Sequence, residues 1–75
     1  MAKLARITAP DFIRVIEKLG FVFRRAKGSH RIYLDPISKR RVTVAFHRTK
    51  NIPPGTLLNM LGQVGISKQE LEDLL

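Results

Sequence analysis

Residues 21–46 read FVFRRAKGSHRIYLDPISKRRVTVAF. Three pieces of this stretch carry the aliphatic, aromatic and β-branched residues of short strands: Phe21 to Arg25, Arg31 to Leu34, and Arg41 to Phe46. Lys27, Gly28 and Ser29 make a tight link between the first two, while DPISKR, Asp35 to Arg40, makes a looser link to the third. Connections this short join antiparallel neighbours, so the stretch predicts a meander. Side chains alternate across a strand, which puts Val42, Val44 and Phe46 on one face and Arg41, Thr43, Ala45 and His47 on the wetter one. The first face needs an apolar cover. The second is left open and basic.

Outward from the meander the hydrophobic period changes to that of helices. In TAPDFIRVIEKLGF, residues 8–21, Thr8 can cap the N–H three positions on, Pro10 fits a first turn, and Asp11 favours the positive helix end. Phe12, Ile13, Ile16 and Leu19 form the apolar stripe, and Arg14, Glu17 and Lys18 face away. Gly20 stops the helix and lets Phe21 fold back on its last turn. On the other side, NIPPGTLLNMLGQVG, residues 51–65, has Pro54 suited to a first helical position and Leu57, Met60, Leu61 and Val64 on one side. Gly65 ends this helix with Ile66 ready to pack, whereas Gly62 sits inside it at a cost of about 1 kcal/mol relative to alanine, a choice that close packing would explain. SKQE, Ser67 to Glu70, is a capping box for a last short helix that docks Leu71, Leu74 and Leu75. The pattern is α+β, α-β-β-β-α with a short additional C-terminal helix, in a single domain over residues 1–75. Its expected core is Phe12, Ile16, Leu19, Val44, Phe46, Leu57, Leu61 and Val64.

Size and composition set limits on function. A chain of 75 residues has a thin core, so a deep enclosed substrate cavity is not expected. The absence of cysteine removes disulfides, thiolate metal sites and thiol nucleophiles. No apolar run is long enough to span a membrane, and the N-terminal stretch lacks a signal-type hydrophobic region, so a cytoplasmic location is expected. Fourteen Lys and Arg oppose six Asp and Glu, for a formal charge of +8. Nine of the fourteen bases fall between Arg24 and Lys50, where Asp35 is the only acid, while Glu70, Glu72 and Asp73 cluster in the tail. One face should therefore attract a polyanion, most plainly nucleic acid. Arg24, Lys27, Arg31, Arg41 and Lys50 are the side chains expected to meet that nucleic acid, with Lys39 and Arg40 as loop charges.

KGSHRIYLD, Lys27 to Asp35, holds the first of only two histidines. Histidine both takes and gives a proton near neutral pH. RNA carries its own nucleophile: a deprotonated 2′-hydroxyl can attack the adjacent phosphate without metal or cofactor, and a neighbouring lysine or arginine can stabilise the phosphoryl oxygens. Gly28 could let the backbone approach a phosphate. On the residues alone a single histidine beside a turn, such as His30, is more often a structural or solvent-exposed side chain than a catalytic one, and His47 reads as a proton-transfer group, a phosphate contact or a hydrogen-bond donor leading into a helix. His30 and His47 with Asp35 between them form no recognisable metal-ligand set. Tyr33, the sole tyrosine, has no aromatic platform around it and reads as packing.

Taken together, FIRVIEKLGFVFRRAKGSH, KGSHRIYLDP and RRVTVAFHRTKNIPPGTLLNMLGQVGIS resemble the HicA toxins, also grouped as YcfA-like mRNA interferases, over almost the whole chain. The resemblance implies a double-stranded-RNA-binding-domain-like fold and metal-independent endoribonuclease activity, with the histidine of the GSH segment as the catalytic group. That role falls on His30, with Gly28 and Ser29 shaping the site and His47 as a possible assisting residue. It implies no cofactor, and as partners messenger RNA and a HicB-like antitoxin that covers the histidine. The family often has proline where this strand has Ala45, which bears on the approach to His47. The alternative is a noncatalytic RNA-binding module using the same basic face.

Overall fold

The structure, a computed structural model, describes residues 6–75. Residues 1–5, which belong to the N-terminal stretch read for a signal and to the expected 1–75 domain, lie outside the described residues. The elements run α1 (Ala9–Lys18), β1 (Val22–Lys27), β2 (His30–Leu34), β3 (Arg41–Ala45), α2 (Pro54–Val64) and α3 (Lys68–Leu74). The strands form one antiparallel sheet in the order β1-β2-β3. α1 and α2 both pack against β3, and α3 packs against α1, so the helices form one layer on one face of the sheet. This is a double-stranded-RNA-binding-domain-like arrangement with an extra C-terminal helix.

Local chemistry explains where each helix starts and stops. The Thr8 hydroxyl accepts the Asp11 N–H at 3.4 Å, and the Asp11 carboxylate accepts the Thr8 N–H at 3.1 Å, a reciprocal cap. At the other end Gly20 takes a φ of +103°, and the Phe21 N–H reaches back to the Ile16 carbonyl at 3.0 Å. This Schellman closure buries the Phe21 ring, as its position after Gly20 led one to expect. Gly65, at φ +89°, ends α2, and Ser67 and Glu70 repeat the reciprocal cap at α3.

The core lies between the helices and the sheet face that carries Tyr33, Val42 and Val44. Phe12, Ile16, Val44, Leu57, Leu61 and Val64 are buried as expected, while Leu19 and Phe46 are only partly buried at its margin. Val15, Val42, Leu71 and the Tyr33 ring complete it. Phe23 on the edge strand meets Tyr33 edge-on, ring centroids 5.7 Å apart. Ile7 and Ile52 clamp the start of α1 to the approach to α2, with the Ile52 N–H donating to the Ile7 carbonyl at 2.7 Å.

The structure differs from the sequence expectation in three places. β1 runs on to Lys27 and β2 begins at His30, so the link is the pair Gly28-Ser29, not Lys27 to Ser29. Gly28 has φ +60° and Ser29 does not, the pattern of a type II′ hairpin turn, whose twist matches that of the strands. The Asp35 to Arg40 link is also less loose than its composition implies. The Asp35 N–H donates to the Arg40 carbonyl, and its carboxylate takes the Ser38 hydroxyl at 2.7 Å and the Ile37 N–H at 3.0 Å. Finally, Gly62 is exposed, and a Cβ there would meet nothing within 4 Å. Close packing is not the reason for that glycine.

Candidate functional site

The helix-free face of the sheet is organised in rows by the strand register. Lys27, His30 and Ala45 are directly opposed across the three strands, then Arg25, Ile32 and Thr43, then Val22, Leu34 and Arg41. Opposed side chains project from the same face with Cβ atoms about 5 Å apart. His30 therefore stands exposed in the middle of the first row, beside the two-residue turn, with Lys27 on one side and only the methyl of Ala45 on the other. Gly28 and Ser29 set this geometry, since the turn fixes which β1 residue faces His30. The Ser29 carbonyl accepts the Phe46 N–H at 2.7 Å, which extends the pairing one step beyond His30. Because hydrogen-bonded and open pairs alternate, His30 and Ala45 form an open pair, the closer kind, and the Ala45 N–H points off the sheet edge.

A β-bulge between Phe23 and Arg25 enlarges the basic face. At a bulge two residues oppose one, so the strict alternation of side chains is broken. Arg24 and Arg25 here line the same open depression, of about 260 Å³, together with Ile32 and Arg41. Among the described residues the sole ion pair is Arg14 with Asp11, both on α1, and it involves none of these groups. Asp35, the one acid in the basic stretch, is turned onto its own loop; the Ser38 hydroxyl and then the Ile37 N–H hold its carboxyl below the usual carboxylate range. The arginines are left unneutralised. Sequence reasoning missed Arg25, because nothing in a run of two arginines announces a bulge.

Three of the expected site residues sit elsewhere. Arg31 is opposed to Val44 and lies on the helix-covered side, its guanidinium carbon 3.7 Å from the centroid of the Phe46 ring. The structure does not bring it together with His30. His47 lies past the end of β3, exposed, and with Lys50 lines a small hollow of about 40 Å³ against Ile52, Pro53 and Met60, just ahead of α2. Ala45 lines the same hollow, so His47 and Lys50 flank the His30 row without belonging to it. Tyr33 is buried and is packing, as its isolation predicted. Among the described residues no three His, Asp or Glu side chains gather as metal ligands, and no helix is long and apolar enough to cross a membrane.

The family model described as the HicA toxin of bacterial toxin-antitoxin matches residues 9–66. The chain belongs to the HicA toxin family. No curated protein matches it. The matched stretch runs from the first residue of α1 to just beyond the Gly65 cap of α2, so it contains the whole sheet, the GSH turn and the residues lining both hollows. α3 lies beyond it. Within this HicA toxin the basic sheet face and the exposed histidine both fall inside the part that defines the family.

Proposed function

We propose that this HicA-family chain is a metal-independent endoribonuclease, the messenger-RNA-cleaving toxin of a toxin-antitoxin pair, working as a single domain with His30 as its general acid/base. The observation that carries this reading is the position of His30, exposed at the centre of a row with Lys27 directly opposed. A phosphodiester laid on this face meets a proton-transfer group and an ammonium together. His30 takes the proton from a ribose 2′-hydroxyl as that oxygen bonds to the adjacent phosphorus; the P–O5′ bond breaks, and the leaving oxygen gains a proton to become a 5′-hydroxyl. The other product is a 2′,3′-cyclic phosphate, open to hydrolysis to a 3′-phosphate. Lys27 stabilises the phosphoryl oxygens as charge builds. Arg24, Arg41 and Lys50 attract the strand, and Gly28 and Ser29 hold the turn that aligns the row. His47 is the assisting residue of this reading, a proton source for the leaving oxygen.

Such chemistry on messenger RNA belongs to the cytoplasm, and the toxin requires a HicB-like antitoxin that covers His30. An acidic surface on that partner, complementary to the +8 charge of this chain, steers the association more than it defines it. The deciding experiment incubates the purified, antitoxin-free chain in EDTA with an all-ribose oligonucleotide and with the same strand bearing 2′-deoxy substitutions. The ribose strand alone should be cut, leaving 5′-hydroxyl ends. Cleavage of the deoxy strand would overturn the mechanism, and binding without any cleavage across varied RNAs would make the chain a noncatalytic RNA-binding module.

A further inference from the structure

The bulge in β1 does something that a diffuse basic surface does not require. It turns Arg24 and Arg25 toward one depression, which Arg41 enters from the opposite edge strand and Ile32 floors. Guanidinium groups suit the oxygens of a phosphate, each offering a planar fork of donors. None of the three has a carboxylate within salt-bridge reach among the described residues. Residues 1–5, MAKLA, contain no acid to supply one. The depression also stands in register with the proposed catalytic row. Ile32 follows His30 by two positions on the same strand face, a rise of roughly 7 Å, comparable with the step between successive phosphates of a nucleic-acid strand.

We infer that Arg24, Arg25 and Arg41 form a phosphate subsite for the RNA phosphate next to the one attacked at His30. The inference rests on the ribonuclease reading above and adds to it a defined second anchor. The sheet then grips two consecutive phosphates, one per row, and Ile32 offers an apolar floor to the sugar between them. A strand anchored twice is held in line for attack, and a substrate with one phosphodiester and no neighbour should be handled poorly. Arg25, opposed to Ile32, carries most of the effect; Arg24 and Arg41 close the ring from the two edges.

The test uses dinucleotides made uncleavable by a 2′-deoxy group at the attacking position, with no terminal phosphate, a 5′-phosphate, or a 3′-phosphate, and reads binding by NMR titration. For the wild-type chain, a phosphate at one of the two ends should tighten binding about tenfold, as expected of a charge-assisted contact. Arg25→Ala should lose that gain, while Lys68→Ala, on the helix layer, should keep it. His30→Ala should keep it too, so the subsite is read separately from catalysis. Equal cleavage of ribose RNA by His30→Ala would sink the catalytic reading while a surviving terminal-phosphate gain upheld the subsite. Conversely, no gain at either end in the wild type, or an unchanged gain in Arg25→Ala, would overturn the subsite. Should Arg25→Ala keep the gain but weaken the complex with the antitoxin, the arginines serve an acidic protein surface and the inference is equally overturned.

Discussion

The Arg31 guanidinium carbon lies 3.7 Å from the centroid of the Phe46 ring, and the pair closes the apolar layer where β2 begins and β3 ends. Arg31 is half-buried there, its stem laid along the core and its charge held against the ring face. Arg31→Ala should cost about 0.5–2 kcal/mol of stability, and the loss should be nearly absent when Phe46 has already been replaced by leucine. RNA affinity should change less than in Lys27→Ala. Chemical denaturation of the two single variants and the double variant supplies the cycle; equal RNA losses for Arg31→Ala and Lys27→Ala would return Arg31 to the binding face.

Two glycines should respond in opposite directions to alanine. Gly62 is exposed on α2 in open space, so Gly62→Ala should stabilise by about 1 kcal/mol through helix propensity. Gly28 also has free space around it, yet its φ of +60° sits at the first corner of the hairpin. Gly28→Ala should therefore cost about 1–2 kcal/mol by backbone strain alone. Urea midpoints distinguish the two. A destabilising Gly62→Ala would mean that the α2 surface is occupied in solution.

The cap of α1 should make stability depend on acid. The Thr8 N–H, then the Thr8 hydroxyl and Arg14, hold the Asp11 carboxyl below its ordinary value of 3.8, more than offsetting its partial burial. A depressed folded-state pKa means that the stabilisation is present in full above the ordinary value and is lost as pH falls through the lowered one. The stability margin of the wild type over Asp11→Asn should thus be flat from neutral pH down to about pH 5 and shrink below about pH 4. A margin that grew on acidification would contradict the cap.

These caps were legible because each is written in adjacent residues: Thr8 with Asp11, Gly20 with Phe21, Ser67 with Glu70. The same is true of the alternating Val42 and Val44 and of the buried face of α2. What the sequence did not disclose depends on register between distant segments. Whether Lys27 belongs to a link or to a strand is decided by its opposition to His30, and the bulge at Arg24 and Arg25 exists only relative to Ile32. Arg31 lies on the helix-covered side for a related reason, since it alternates with neighbours that lie on the opposite face. The GSH segment named the histidine, but only the folded sheet shows which cations share its face.

Ala45 stands where the family often has proline, and the structure explains why either residue fits. The Ala45 N–H points off the outer edge of β3 and makes no bond to β2, given the hydrogen-bonded step between Ser29 and Phe46. Proline is tolerated at such edge positions because no ladder donor is lost. Ala45→Pro should change stability by less than about 1 kcal/mol, whereas Val44→Pro, one step inward at a bonded pair, should cost about 3 kcal/mol or more. Thermal melts of both variants check this; a strongly destabilised Ala45→Pro would mean that the edge N–H has a partner.

The two histidines should differ sharply in their effect on cleavage. His30 is central to its row, exposed and opposed to Lys27, whereas His47 lies off the end of β3 in a separate hollow shared with Lys50. His30→Ala should lower RNA cleavage by about two to four orders of magnitude, the range for a positioned acid/base group. Being exposed on the sheet surface, it should leave the melting temperature and most RNA affinity unchanged. His47→Ala should reduce the rate by less than about tenfold, because a group beside the row can assist the leaving oxygen only where water does not already do so. Lys27→Ala belongs between them, slowing cleavage while binding weakens modestly and the salt dependence of affinity flattens by the share of one phosphate contact. Single-turnover rates at saturating RNA, set beside binding measured on the 2′-deoxy strand, separate the three roles. If His47→Ala matched His30→Ala in single turnover with its fold and affinity intact, the acid/base assignment to His30 alone would fail, and the two histidines would have to share the proton transfers across the Ala45 edge.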